Sequence, residues 1–363
     1  MSRRLPRDLH PIAWWAWAIG LAAGASLSTN PVWMVMLVGA ATVVVLARRS
    51  DQPWARSFRL YCLLALVTVV LRVVFRIVFG GGVGDTVWLH LPEIPLPDRV
   101  MGIRLFGDVT RESVLAGLYD GLRLAAIIIC IGAANSLANP KRLLKSLPPA
   151  LYEIGTAMVI AVTMVPQLAD SVRRVRRAQT LRGGASGRVG RLRRILVPVL
   201  EDAFERSLRL AAGMDTRGYG RSGGATRRER WLTGALMLVG LCGICLGTYL
   251  GLDQTGVLPS SWGRPLLLGG LLVAVGGIVA AGSRVHRSRY RPDPWRWPEL
   301  SVVACGVAVA VAAHRITQVS PSIAYPSLTA VPTLDALALA AVGVAVLPAV
   351  LAPPPTTALV VGS

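Results

Sequence analysis

Two arginines carry the chemistry that this sequence could do. Arg182 and Arg217 each stand directly before a glycine, Gly183 and Gly218, about 35 residues apart. Each Arg-Gly pair closes a stretch of helical pattern. Glycine is the residue best able to take left-handed backbone past a helix C-terminus. An arginine there complements the negative end of the helix dipole while its guanidinium still projects outward. Held in that way, it offers a planar, bidentate cation to a carboxylate on a partner. The same dipeptide is also an ordinary helix ending on a basic loop, and the two copies alone leave both readings open.

The pairs lie in Ser171 to Gly220, a stretch with twelve arginines and four acidic residues. No other constellation competes with them. The chain's four histidines are scattered, and His10 and His314 have no sequence partners. No paired carboxylates sit in an apolar segment, and no Gly-Lys-Ser or Gly-Lys-Thr phosphate loop occurs. ATP hydrolysis by this chain is therefore not expected, and neither is a cofactor. Cys242-Gly-Ile-Cys245 has metal-like spacing, but without a second ligand pair it reads as packing rather than as a metal site.

The elements around these residues are those of a membrane protein. Of 363 residues, 53% are hydrophobic and only 16% charged, which is too apolar for a soluble domain of this size. Several apolar runs of about 17 residues or more are long enough to span a bilayer. The net charge of +20 could point to nucleic acid. It clusters instead in the loops between apolar runs, the cytoplasmic bias of a multispanning protein.

Arg3, Arg4 and Arg7 keep the N-terminus inside. Spans are expected at about Pro11 to Leu27, Val32 to Ala47, Leu60 to Phe79 and Ser113 to Leu137. The third contains Arg72 and Arg76, for which Asp120 is the expected partner. Residues 80–112 form the longest external segment, whose structure the sequence does not decide. Ala150 to Ala169 is apolar enough to pass for a span, and parity argues against it. If it crossed, the twelve arginines that follow would lie outside. It is therefore expected as an interfacial first coupling helix leading into Arg182, with Leu192 to Met214 as the second. Further spans are expected at Trp231 to Leu252, Leu266 to Ala281, Leu300 to Ala313 and Leu334 to Leu351. This makes eight spans with both termini cytoplasmic.

The fold class is thus all-α, a polytopic membrane helix bundle with cytoplasmic coupling helices. Its expected parts are an N-terminal membrane bundle (1–138), the coupling helices (139–230), a fifth span (231–252) and a C-terminal accessory membrane segment (253–363).

Three groups of residues carry a resemblance over about Leu9 to Leu252. They are the two Arg-Gly helix ends, His10-Pro11, and Ser136-Leu137-Ala138-Asn139-Pro140 ahead of the basic stretch. In this the chain resembles the transmembrane T-component of energy-coupling factor transporters, including the cobalt-type permease subunits. That family has paired Ala-Arg-Gly-like motifs, the second often followed by an aromatic residue and glycine, as in Arg217-Gly218-Tyr219-Gly220. Leu181 and Thr216 stand here where the family has alanine.

The resemblance implies an energy-coupling subunit of a bacterial plasma-membrane importer for a vitamin or metal ion. It also implies two ABC-type ATP-binding subunits and a small substrate-binding membrane protein as partners, with no role for nucleic acid. Arg182, Gly183, Arg217 and Gly218 would seat the ATP-binding subunits, with Ala178, Asp215 and Thr216 in support. Two other classes stand beside this one: a self-sufficient secondary transporter, and a basic membrane anchor for nucleic acid or ribosomes.

Overall fold

The computed structural model describes residues 7–79, 84, 86–92, 94–95, 104–146, 148, 151–181, 188–219, 226–252, 262–283 and 293–355. Thirteen helices lie among the described residues. They are α1 Pro11–Ser26, α2 Pro31–Arg48, α3 Phe58–Phe79, α4 Arg111–Leu137, α5 Pro140–Lys145, α6 Tyr152–Leu181, α7 Arg188–Asp215, α8 Arg227–Leu252, α9 Gly263–Gly282, α10 Trp297–Val319, α11 Pro321–Ala324, α12 Ala336–Val346 and α13 Pro348–Leu351. Four short strands lie between α3 and α4: β1 Val87–His90, β2 Ile94–Pro95, β3 Arg104–Leu105 and β4 Asp108–Thr110. They pair antiparallel, β1 with β4 and β2 with β3. The stretch between α3 and α4 thus contains small antiparallel pairings in an otherwise all-α protein.

Local chemistry starts the helices where the sequence places them. Asn30 caps α2, its side-chain oxygen accepting from the amides of Val32 (3.0 Å) and Trp33 (3.4 Å). Pro31 follows at the first helical position, where its missing N–H costs nothing. Thr110 caps α4 by accepting from the Ser113 amide. Among the described residues, seven helices are long and apolar enough to cross a membrane: α2, α3 with the turn before it, α4, α6, α8, α9 and α10. Helix α1 has 16 residues, and Ala336–Leu351 is a shorter apolar stretch. The eight expected spans differ from this set by including those two and leaving out α6. The protein is a multi-pass, all-α membrane protein.

Two compact units divide the chain: Met1–Leu143 with Asp293–Ser363, and Leu144–Pro292. In the first, α1 packs against α4 and α10, α2 against α4 and α12, and α3 against α4. The helices beyond residue 293 supply part of its core, since Val302, Val309, Ala313, Ala338 and Ala345 are buried with Trp17, Leu21, Met34 and Val44. Polar groups join the same elements. The Trp17 indole donates to the Ala345 carbonyl (3.3 Å), and the Asn30 amide donates to the carbonyls of Ile323 and Thr333 (both 2.9 Å). Arg48 donates to the Ala349 carbonyl (2.8 Å). In the second unit α9 pairs with α8.

Glycines set the close helix approaches. A Cβ on Gly20 would lie 2.2 Å from the Gly306 carbonyl oxygen, and one on Gly306 2.5 Å from the Trp17 Cα. Backbone meets backbone there, so no side chain fits. Helices α8 and α9 meet in the same way through Gly240, Gly243, Gly247 and Gly270. Without a hydrophobic drive between helices in lipid, such contacts supply the dispersion that holds spans together. Within the α3–α4 pair, Arg76 reaches Asp120 at 3.5 Å, which satisfies a charge that hydrocarbon would not.

The α1–α10 crossing generates a prediction. Gly20→Val and Gly306→Val should each destabilise the solubilised chain by about 1–3 kcal/mol or more through overpacking, seen as a lowered thermal midpoint. Gly39→Val should do little, because nothing lies within 4 Å of its would-be Cβ. Equal drops in all three would show that the crossing does not limit stability.

Candidate functional site

The basic stretch folds as two long helices, α6 and α7, of 30 and 28 residues. Helix α6 runs without a break from its apolar first half through Arg173, Arg174, Arg176 and Arg177. At 1.5 Å per residue it is about 45 Å long, well beyond the roughly 30 Å of bilayer hydrocarbon. Pro166 and Pro198 lie inside the two helices.

One carboxylate holds the pair. Asp202 on α7 accepts from the Ser171 hydroxyl (2.6 Å) and from Arg174 (3.1 Å), both on α6. From its own helix Arg206, four residues on, closes a bidentate pair through Nε (2.9 Å) and a terminal nitrogen (3.0 Å). Arg206 also reaches the Gln167 side chain on α6 at 3.5 Å. Partners at 171 with 202 and 167 with 206 show that the helices run antiparallel. Ser171 and Val199 are buried at this contact. The Asp202 carboxyl is held below the usual carboxylate range, first by the Ser171 hydrogen bond and then, against some desolvation, by Arg206 and Arg174. Beside the contact the helices form an open groove of about 420 Å³, lined mainly by apolar side chains such as Ile160, Met164, Leu168, Leu210 and Met214.

At its C-terminus α7 ends in a compact cap. Gly218 takes φ +74°, the left-handed region that a Cβ would penalise. The Tyr219 amide donates back to the Met214 carbonyl (3.0 Å) and the Gly218 amide to that of Asp215 (2.9 Å). This pairing is the Schellman arrangement. The Thr216 hydroxyl donates to the Gly213 carbonyl (3.1 Å). Arg217 and Asp215 are both exposed, and among the described residues no ion pair engages the Arg217 guanidinium. Helix α6 ends at Leu181, the residue before Arg182, with Leu181 itself 89% exposed. Arg182 and Gly183 lie outside the described residues. Ala178 sits exposed in the last turns of α6. Since α6 and α7 are antiparallel, Leu181 and Arg217 belong to opposite ends of the pair.

Ser171, Arg174, Asp202 and Arg206 were not among the residues expected to matter. Half of that signal was legible, because Asp202 and Arg206 stand at helical i, i+4 spacing. The other half depends on the register of α7 against α6, which no local pattern encodes.

The CbiQ family, described as cobalt transport protein, matches residues 2–227. The "energy-coupling factor transporter transmembrane protein EcfT" of Thermanaerovibrio acidaminovorans is 29% identical over 210 residues, 50% of this chain and 78% of that protein. The protein of the same name from Leuconostoc gelidum subsp. gasicomitatum is 26% identical over 210 residues, 52% of this chain and 70% of that one. That from Macrococcus caseolyticus is 28% identical over 139 residues, 34% of this chain and about half of its own length, 52%.

Asp202 makes the helix pair testable by pH. A carboxylate held low contributes its stabilisation above the ordinary value near 4 and loses it only as pH falls through the lowered one. Spin labels on Val165 and Leu208, both exposed, should keep one narrow distance from pH 7 to about 4 and broaden only below. Asp202→Asn should broaden it already at pH 7. A narrow distance in that variant would remove Asp202 as the clasp.

Proposed function

The chain belongs to the CbiQ family of cobalt transport proteins, and on that premise we propose that it is the energy-coupling membrane subunit of a bacterial importer. Two ABC-type ATP-binding subunits hydrolyse ATP on the cytoplasmic side, and a separate small membrane protein holds the vitamin or metal ion. Helices α6 and α7 are the mechanical link. Closure of the ATP-binding subunits shifts the two helices together, and the shift reorients the substrate-binding protein in the bilayer. Both termini and the whole basic stretch lie in the cytoplasm.

The observation that supports this reading is the end of α7. A capped helix terminus presents Arg217 outward, without a carboxylate among the described residues, on a helix clasped to its neighbour at Asp202. A rigid helix carrying an unspent, planar cation is what a partner's acidic groove requires. Arg182, directly after the last residue of α6, is assigned the equivalent role toward the second ATP-binding subunit. A secondary transporter would need charges deep in its spans. The Arg76–Asp120 ion pair is not of that kind, because Arg76 lies within one turn of the end of α3, where an arginine snorkels.

Truncating one partner of a buried charge pair costs about 2 kcal/mol or more, roughly thirtyfold in affinity. Arg182→Ala or Arg217→Ala should therefore weaken retention of the ATP-binding subunits by that order, and the double change should abolish uptake. Lysine should rescue poorly, since it lacks the planar fork. Neutralising Arg173, which is exposed and pairs with Asp170 three residues away, should change little. Normal uptake by a folded, inserted double variant would refute the proposal.

A further inference from the structure

One end of the first unit carries a cluster of charges that the proposed coupling does not use. Arg142 on α5 is its hub. Its guanidinium donates to Asp293 through Nε (3.1 Å), with a terminal nitrogen 3.0 Å from the same oxygen. It also donates to the Asp8 carbonyl (3.1 Å) and lies 3.8 Å from the Asp8 carboxylate. Arg142 is 24% exposed, and its two carboxylate partners about 40%. Alongside, Arg7 pairs with Glu299, which is 1% exposed, and the Glu299 carboxylate also accepts from the Arg296 amide (3.1 Å). The His10 and Trp295 rings lie 5.1 Å apart.

Three stretches distant in sequence therefore meet at one guanidinium: the N-terminal segment, the start of α5, and the entry to α10. The placement of α5 gives this meaning. It is a single short helix capped by Asn139, whose side chain accepts from the amides of Lys141 and Arg142. Only the few residues between it and Tyr152 separate it from α6. Asp293 lies outside the stretch that matches the family, which ends at residue 227. The helices that follow it are bonded into α1 and α2 through Trp17, Asn30 and Arg48.

We infer that Asp293, with Asp8, is a positioning residue for coupling: it clamps Arg142 so that the segment entering α6 starts from a fixed point on the membrane bundle. The C-terminal helices α10–α13 act as the stator that carries this clamp. A lever transmits displacement only if one end is held. An ion pair with two carboxylate neighbours and a backbone acceptor holds direction as well as distance, because the guanidinium is planar. The inference rests on the coupling role proposed for α6 and α7.

The test uses the full chain in detergent, with whatever ATP-binding subunits co-purify, and two readouts. The first is hydrogen exchange at the amides of residues 143–145, which needs no partner. The second is retention and ATP hydrolysis of the co-purified subunits. Asp293→Asn and Asp293→Arg should speed exchange at 143–145 by about tenfold or more, the signature of local opening, and lower hydrolysis in the complex severalfold. Asp293→Glu should restore both. Arg7→Gln strands Glu299 at the same end of the unit and should lower the thermal midpoint, yet leave both readouts unchanged, since it does not touch α5.

Unchanged exchange in Asp293→Arg would overturn the clamp. Faster exchange with unchanged hydrolysis would overturn its role in coupling. If Arg217→Ala also left the ATP-binding subunits bound and active, the coupling reading itself would be the one to fail.

Discussion

The docking of the C-terminal helices in the first unit depends on the approach of two backbones at Gly20 and Gly306. A Cβ at either position would collide with main-chain atoms, so α1 and α10 meet only because both residues lack one. In lipid, where burial of apolar surface gives little, that closeness is what makes the pairing favourable. Once α10 lies on α1, the carbonyls of Ile323, Thr333, Ala345 and Ala349 fall within reach of Asn30, Trp17 and Arg48. Asp293, at the entry to α10, is brought to Arg142 by the same docking. The route from a glycine contact to Arg142 is short and consists of named bonds.

The second unit has a different logic. Its α8–α9 pair is again a glycine-to-glycine contact, but α6 and α7 are joined by charge. Three donors from two helices converge on Asp202, and two of them are arginines. Most arginines of the stretch are left exposed. The arrangement separates two tasks that one sequence region must perform. Arg174 and Arg206 are spent on holding the helices together, whereas Arg217 stands past a capped helix end with its guanidinium available.

Much of the architecture was legible because capping and hydropathy are local. Helices α2, α8 and α9 fall within a few residues of where the apolar runs predict them. Gly218 takes the left-handed conformation that its place after a helical pattern implied. Two features escaped for non-local reasons. The clasp at Asp202 needs the register of two helices. The docking of α10 on α1 joins residues almost three hundred positions apart, and neither glycine differs in its surroundings from exposed Gly39 or Gly343.

The account stands on one contact outside this chain, that of the α7 terminus with an ATP-binding subunit. A photo-reactive benzoylphenylalanine in place of Tyr219, irradiated in cells and followed by mass spectrometry of the adduct, reads that contact directly. The account predicts an adduct with an ABC-type ATP-binding protein, diminished by Arg217→Ala. An adduct with ribosomal or nucleic-acid-bound protein, or none in cells where the full-length chain is inserted, would contradict it.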